Sequence, residues 1–149
     1  TEEAIGDARE SVDEGLINKI SKTTLQAGKE VLYIEDNPAN LKFMEKVFEK
    51  EMPCNLVTAS DGLKGLEMVK TLQPALVLLD INLPGMNGLE ILNHLKNDPE
   101  TRQIPVLMVS ANAMSESISR AMDSGAAGYL TKPIEVNNLK ESVSGLIHC

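Results

Sequence analysis

The chain has 149 residues, of which 22 are acidic and 14 are basic, and its formal net charge is −8. This balance argues against DNA or an anionic membrane as the main partner, because both need clustered Lys and Arg. The length fits one domain, and no apolar run approaches the roughly 20 residues of a transmembrane helix. The two cysteines, Cys54 and Cys149, are far apart in the chain and match neither a disulfide framework nor a zinc-site spacing, which predicts reduced thiols in a cytoplasmic protein.

Residues 1–29 differ from the rest of the chain and are predicted to form an N-terminal leader or linker. Apolar residues recur every three or four positions from Ile5 to Ile20, which is the period of one helix face. Gly6 and Gly15 weaken such a helix. The segment is therefore either a frayed tail or an amphipathic helix that joins another domain or packs on a partner.

From residue 30 to residue 149, short apolar runs alternate with segments of helical period. Nearly continuous aliphatic runs favour parallel strands that are covered on both faces. Five such β-then-α units predict an α/β domain with a parallel sheet and helices on both sides. The predicted strands cover residues 31–34, 54–59, 75–79, 104–109 and 128–130. The predicted helix stripes are Leu41, Met44 and Phe48; Leu63, Leu66 and Val69; Gly88, Ile91 or Leu92, and Leu95; Met114, Ile118, Ala121 and Met122; and Val136, Leu139, Val143 and Leu146.

The ends of the predicted strands gather carboxylates, one hydroxyl and one lysine. Glu35 and Asp36 follow the first strand, Asp80 the third, Ser110 the fourth and Lys132 the fifth. Ligands of open parallel sheets bind beyond the carboxyl ends of the strands. Three carboxylates at one edge repel one another unless a cation lies among them, and oxygen-only ligands suit Mg²⁺.

Asp80 closes the most hydrophobic predicted strand and is the candidate nucleophile for a phosphoryl group. Mg²⁺, the Lys132 ammonium and the Ser110 hydroxyl are suited to stabilise phosphoryl oxygens during transfer. Each residue taken alone also has a purely structural interpretation. Glu35 and Asp36 suit a turn before a helix, Asp80 an ordinary loop, Ser110 a helix cap, and Lys132 a solvated surface.

Four segments resemble the receiver domain of two-component response regulators, and the resemblance covers roughly residues 30–149. They are residues 31–37, 76–88, 105–111 and 125–133. The resemblance implies a flavodoxin-like (βα)5 fold, with a five-stranded parallel sheet of order 2-1-3-4-5 flanked by five helices. It also implies that Asp80 accepts a phosphoryl group from a phosphohistidine in a Mg²⁺-dependent reaction, after which the domain switches conformation. The implied donor is a histidine kinase or a histidine phosphotransfer protein.

The resemblance further assigns the metal ligands. It implies that Asp36, Asp80 and the backbone carbonyl of Asn82 bind Mg²⁺, while Glu35 acts through water. It also implies a cis Lys132–Pro133 peptide bond, because that turn must direct the lysine toward Asp80.

A conformational switch and a docking surface are predicted around the same site. Ser110 and Tyr129 are expected to move toward the active site when Asp80 is phosphorylated. The surface expected to receive the phosphodonor consists of Pro38, Asn40, Leu41, Met44, Pro133 and Ile134.

Two alternatives to a phosphorylated receiver stay open. One is a pseudo-receiver that binds partners without taking up phosphate, and the other is a nucleotide or flavin binder. We expect no independent substrate turnover, no direct binding of nucleic acid and no membrane insertion. The run 110–114 resembles the receivers of hybrid sensor kinases, in which a kinase domain lies upstream, whereas a stand-alone regulator is the other arrangement.

Overall fold

In the computed structural model, which describes residues 30–148, five strands alternate with five helices. The strands are β1 (Glu30–Ile34), β2 (Asn55–Ala59), β3 (Leu76–Asp80), β4 (Val106–Ser110) and β5 (Gly128–Thr131). The helices are α1 (Pro38–Glu51), α2 (Gly62–Leu72), α3 (Gly88–Asn97), α4 (Ser115–Asp123) and α5 (Val136–Leu146). The predicted leader, residues 1–29, lies outside the described residues, so its expected helix stays a prediction.

The five strands form one parallel sheet in the order β2-β1-β3-β4-β5, which confirms the expected flavodoxin-like topology. β1, β3 and β4 are buried along their whole length, as expected for strands covered on both faces. The register pairs Ile34 of β1 with Leu79 of β3, and Asp80 with Val109 of β4. The carboxyl ends of these three strands therefore lie side by side.

Short polar side chains start the first three helices close behind the strands. The Asn37 side chain accepts hydrogen bonds from the backbone of Ala39 and Asn40 at the start of α1, and Pro38 occupies the first turn. Asp61 caps α2 in the same way, and Asn87 forms a reciprocal capping box on α3. These caps satisfy backbone N–H groups that have no partner inside the helix.

Alternating strand residues divide the core into two apolar clusters, one on each face of the sheet. Leu32 and Ile34 of β1 pack with α2, α3 and α4, whereas Val31 and Tyr33 pack with α1 and α5. This separation places Tyr33 and the next residue on its face, Glu35, toward α1 and α5.

Two of the predicted helix stripes are wrong in part. Leu63 on α2 is 67% exposed, and Met114 and Met122 at the two ends of α4 are 63% and 43% exposed. Only Ala121 of the α4 stripe is buried. Because α4 lies at one side of the sheet over the short strand β5, a narrow contact suffices to hold it.

The prediction of reduced thiols is wrong at Cys54, which is disulfide-bonded. Pro53, the residue before Cys54, lines one cavity with Val143 and Ile147 at the end of α5. The wide separation of these residues in the sequence therefore does not keep them apart in the fold. Cys149 lies outside the described residues.

Within residues 30–148, no helix is long and apolar enough to cross a membrane.

Candidate functional site

Three carboxylates meet at the carboxyl edge of the sheet, where β1 and β3 lie next to each other. Glu35 and Asp36 follow β1, and Asp80 is the last residue of β3. One oxygen from each side chain lies within 4.8 Å of the other two. Glu35 and Asp80 are only 1% and 2% exposed, whereas Asp36 faces solvent. The cluster is therefore open on the Asp36 side and closed by the protein on the other.

The Glu35 carboxylate is held by four donors. Its Oε1 accepts hydrogen bonds from the Tyr33 hydroxyl at 2.8 Å, from Lys132 Nζ at 3.0 Å and from Asn40 Nδ2 at 3.3 Å. Its Oε2 accepts one from the backbone N–H of Asn37 at 3.2 Å. Glu35 is thus fixed in one orientation by residues from β1, the start of α1 and the loop after β5.

Lys132 joins the acidic cluster from the far side of the sheet. Its ammonium lies 3.0 Å from Glu35 Oε1 and 3.3 Å from Asp80 Oδ2. The Lys132 backbone N–H donates to the carbonyl of Ser110 at 2.8 Å, which ties the β5 loop to the end of β4. The Lys132–Pro133 peptide bond is cis, which confirms the prediction for this turn.

The three charged groups have shifted pKa values. Burial and the nearby Glu35 charge raise the pKa of Asp80 to about 6, although the hydrogen bond from the Asn82 N–H acts in the opposite direction. Burial alone acts to raise the pKa of Glu35, but hydrogen bonds from Tyr33 and Lys132 outweigh it and lower the net value. The pKa of Lys132 is raised, because its two carboxylate partners outweigh its burial. Burial and the Glu35 hydrogen bond raise the pKa of Tyr33, so its hydroxyl remains a neutral donor.

The site brings together Asp80, the Lys132 ammonium and the acidic pair that follows β1. This is the arrangement that the resemblance to receiver domains implied. The family profile described as the response regulator receiver domain matches residues 31–144. The chain belongs to this receiver family.

Relatives and solved structures agree with that membership. The chain is 36% identical over 119 residues to the polar-differentiation response regulator DivK of Brucella ovis, covering 80% of this chain and 96% of that protein. The receiver domain of a Francisella response regulator superposes with a TM-score of 0.73 at 26% identity, covering 79% of this chain and 95% of that one. The Mn²⁺-bound form of response regulator Rcp1 superposes with a TM-score of 0.66 at 26% identity, covering 78% and 90% of the two chains.

The predicted switch residues of the receiver meet at one loop residue, Asn112. Ser110 is buried, and its Oγ accepts a hydrogen bond from the Asn112 N–H at 3.1 Å. The Tyr129 hydroxyl donates to the carbonyl of Asn112 at 2.7 Å. The Asn112 side chain in turn accepts from the N–H of Met114 at 2.9 Å. The loop between β4 and α4 therefore connects the two predicted switch side chains.

The predicted docking surface needs one correction. Met44 is completely buried and packs against the sheet with Val47 and Phe48, so it cannot contact a partner. Phe43, which is not among the predicted docking residues, is 42% exposed instead. It lines a cavity of about 300 Å³ beside the acidic cluster, together with Tyr33, Asn40, Lys132, Pro133 and Ile134.

Asn82, the third predicted metal ligand, lies at the start of the loop after β3. Its backbone N–H donates to Asp80 Oδ1 at 3.1 Å, so this loop fixes one oxygen of the Asp80 carboxylate. Lys132 contacts the other oxygen. The role of the Asn82 carbonyl as a metal ligand stays a prediction.

The hydrogen-bond partners of the predicted site residues were not predictable from the sequence motifs. Tyr33 lies in an apolar run that predicts only a buried strand, but period-two alternation places it on the same face as Glu35. Asn112 carries no recognisable pattern of its own, because its role depends on backbone atoms.

Proposed function

We propose that this receiver takes up a phosphoryl group from a phosphohistidine onto Asp80. The observation that carries the proposal is the environment of Asp80, a buried carboxylate beside an acidic pair with an ammonium 3.3 Å from its Oδ2. An Asp80 oxygen forms the new bond to phosphorus as the phosphorus–nitrogen bond breaks, and the imidazole nitrogen keeps the electron pair.

Asp36 and Asp80 are the proposed side-chain ligands of a Mg²⁺ ion, with the Asn82 carbonyl as a backbone ligand. Receiver domains bind Mg²⁺ at an acidic pocket, and a cluster of carboxylate oxygens has the chemistry that this hard cation prefers. When bound, the ion supplies positive charge against the phosphoryl oxygens. Rcp1, a relative, has a Mn²⁺-bound form, which supports a divalent site here. Because four protein donors already occupy Glu35, we propose that it acts through water.

Lys132 and Ser110 are proposed to stabilise the transferred group. The Lys132 ammonium contacts Asp80 Oδ2 and is therefore within reach of a group bonded to that carboxylate. The Ser110 hydroxyl accepts a hydrogen bond from Asn112 and has its own proton free to donate.

The test is chemical labelling of the purified protein. Incubation with Mg²⁺ and acetyl phosphate should add one acid-labile phosphoryl group to the wild type and none to Asp80→Asn. Intact-mass spectrometry measures both. Equal labelling of the variant would mean that another residue is the acceptor. An unlabelled wild type would instead support the alternative of a pseudo-receiver that works without phosphate.

Replacing Asp36 with alanine should weaken Mg²⁺ binding at least about tenfold, because one of two proposed carboxylate ligands is lost. Isothermal titration with MgCl₂ measures the dissociation constant. Asp123→Asn is the matched control, since it removes an exposed acid at the far end of α4. If both variants bind Mg²⁺ as the wild type does, Asp36 is not a ligand.

Phosphorylation is proposed to be read out by Ser110 and Tyr129. The new group adds charge and acceptor oxygens, which attract the Ser110 hydroxyl. That movement would remove the acceptor of the Asn112 N–H, and Asn112 also holds the Tyr129 hydroxyl. One loop thus links phosphate uptake to the surface around β5.

Receivers interact with histidine kinases or histidine phosphotransfer proteins. We propose that the donor docks on the surface made by Pro38, Asn40, Leu41, Phe43, Pro133 and Ile134, which flanks the cavity beside Lys132.

Residues 30–149 are the proposed receiver domain, and residues 1–29 are proposed to connect it to other parts of its signalling system, such as an upstream kinase domain. The cytoplasmic location predicted from reduced thiols loses that support, because Cys54 is disulfide-bonded.

A further inference from the structure

The Tyr33 side chain brings a polar hydroxyl into a buried apolar cluster, and the proposed phosphoryl transfer gives that hydroxyl no role so far. The side chain is 1% exposed and packs with residues of α1, α5 and the sheet. Its hydroxyl donates to Glu35 Oε1 at 2.8 Å, which is the shortest of the four hydrogen bonds to that carboxylate. An aliphatic side chain could fill this core position without a hydrogen-bond partner, whereas the Tyr33 hydroxyl is bonded to a residue of the acidic cluster.

Glu35 Oε1 has more donors than a single oxygen ordinarily accepts. Tyr33, Lys132 and Asn40 all point to it, whereas a carboxylate oxygen offers about two lone-pair positions. The consequence concerns Lys132, which also contacts Asp80 Oδ2. If Lys132 turns from Glu35 to a phosphoryl group on Asp80, the Tyr33 hydroxyl still satisfies Oε1.

We propose that Tyr33 is a positioning residue for phosphoryl transfer, whose hydroxyl holds Glu35 so that Lys132 can leave it for the incoming phosphoryl group. The inference rests on the proposed function of Asp80. Without the hydroxyl, departure of Lys132 would leave Oε1 of a buried carboxylate with only the 3.3 Å contact from Asn40. An uncompensated buried charge is costly, so Lys132 would remain on Glu35.

Tyr33→Phe tests this role because it removes the hydroxyl and keeps the ring. At saturating Mg²⁺ and acetyl phosphate, we expect the rate of Asp80 labelling to fall about tenfold, the usual size of losing one hydrogen bond to a charged group. The Mg²⁺ dissociation constant should change less than about twofold, since Tyr33 is not a proposed ligand. Phe48→Leu is the control, because it disturbs the same apolar cluster without removing a polar group.

A double-mutant cycle with Glu35→Gln shows whether Tyr33 acts through Glu35. In the Glu35→Gln background, adding Tyr33→Phe should change the labelling rate less than about twofold, because the buried charge is gone. Equal slowing in both backgrounds, or equal slowing by Phe48→Leu, would overturn the inference.

The outcomes separate the inference from the function on which it rests. A wild type that takes no label contradicts the proposed function. A wild type that labels at the same rate as Tyr33→Phe contradicts only the role of Tyr33. If Glu35→Gln labels too slowly to measure, the comparison of rate with Mg²⁺ affinity in Tyr33→Phe and Phe48→Leu decides the matter.

Discussion

Asp80→Asn is expected to make the protein more stable while removing its ability to take up phosphate. The wild-type side chain is a buried carboxylate next to the charge of Glu35, and its pKa is raised from 3.8 to about 6. Each pKa unit corresponds to about 1.4 kcal/mol, so the charged form of Asp80 lowers the free energy of unfolding by at most about 3 kcal/mol. Because Lys132 loses one of its two partners in the variant, we expect a net gain of about 1–3 kcal/mol.

The gain should depend on pH with a defined sign. Between pH 3.8 and about 6, the folded wild type binds more protons at Asp80 than the unfolded chain does, so this residue lowers the stability of the wild type as the pH rises. The Asn variant lacks that contribution. The difference in unfolding free energy between variant and wild type should therefore be small near pH 4, grow through pH 6 and level off above about pH 7.

Urea unfolding in EDTA at pH 4, 5, 6 and 7.5 measures this difference. Asp123→Asn serves as the control, because its side chain is exposed at the end of α4 and its effect should stay within about 0.5 kcal/mol at every pH. A variant that is less stable than the wild type at pH 7.5 would show that the contacts of Asp80 with Lys132 and Asn82 outweigh the cost of burying its charge.

The strand ends were predictable because two local signals agree at each of them. The aliphatic runs fix where a strand lies, and the first polar residue after each run fixes where its carboxyl end projects. Asp80, Ser110 and Lys132 therefore lie at the edge where the sequence placed them. These positions share a single edge because the strands that carry them are parallel.

Side-chain directions were less predictable. Met44 was assigned both to a core stripe and to the docking surface, and the fold satisfies only the first of these roles. Its neighbour Phe43 carries the exposed ring. Both side chains are apolar, so residue type alone does not show which of them is buried against the sheet. In the same way, a run of apolar residues does not reveal that the Tyr33 hydroxyl donates to Glu35.

Gly88 packs closely against the backbone at the end of β3, the strand that carries Asp80. A Cβ at this position would overlap the carbonyl oxygen of Asp80 and lie 2.6 Å from Cα of Ile81. The Gly88 N–H also donates to the carbonyl of Ile81 at 2.8 Å, which holds the start of α3 against the end of β3. The obstacle is backbone and not a flexible side chain, so the contact cannot be relieved by a change of rotamer.

Gly88→Ala is therefore expected to lower the unfolding free energy by at least about 2 kcal/mol, the range of overpacking in a closed core. The displaced backbone carries Asp80, so labelling by acetyl phosphate should slow as well. Gly145→Ala is the matched control, since nothing lies within 4 Å of its added Cβ in α5. That variant should gain up to about 0.5–1 kcal/mol from the higher helix propensity of alanine. Urea unfolding of the two variants separates the steric effect from helix propensity, and similar stabilities for both would mean that the β3–α3 contact can widen without cost.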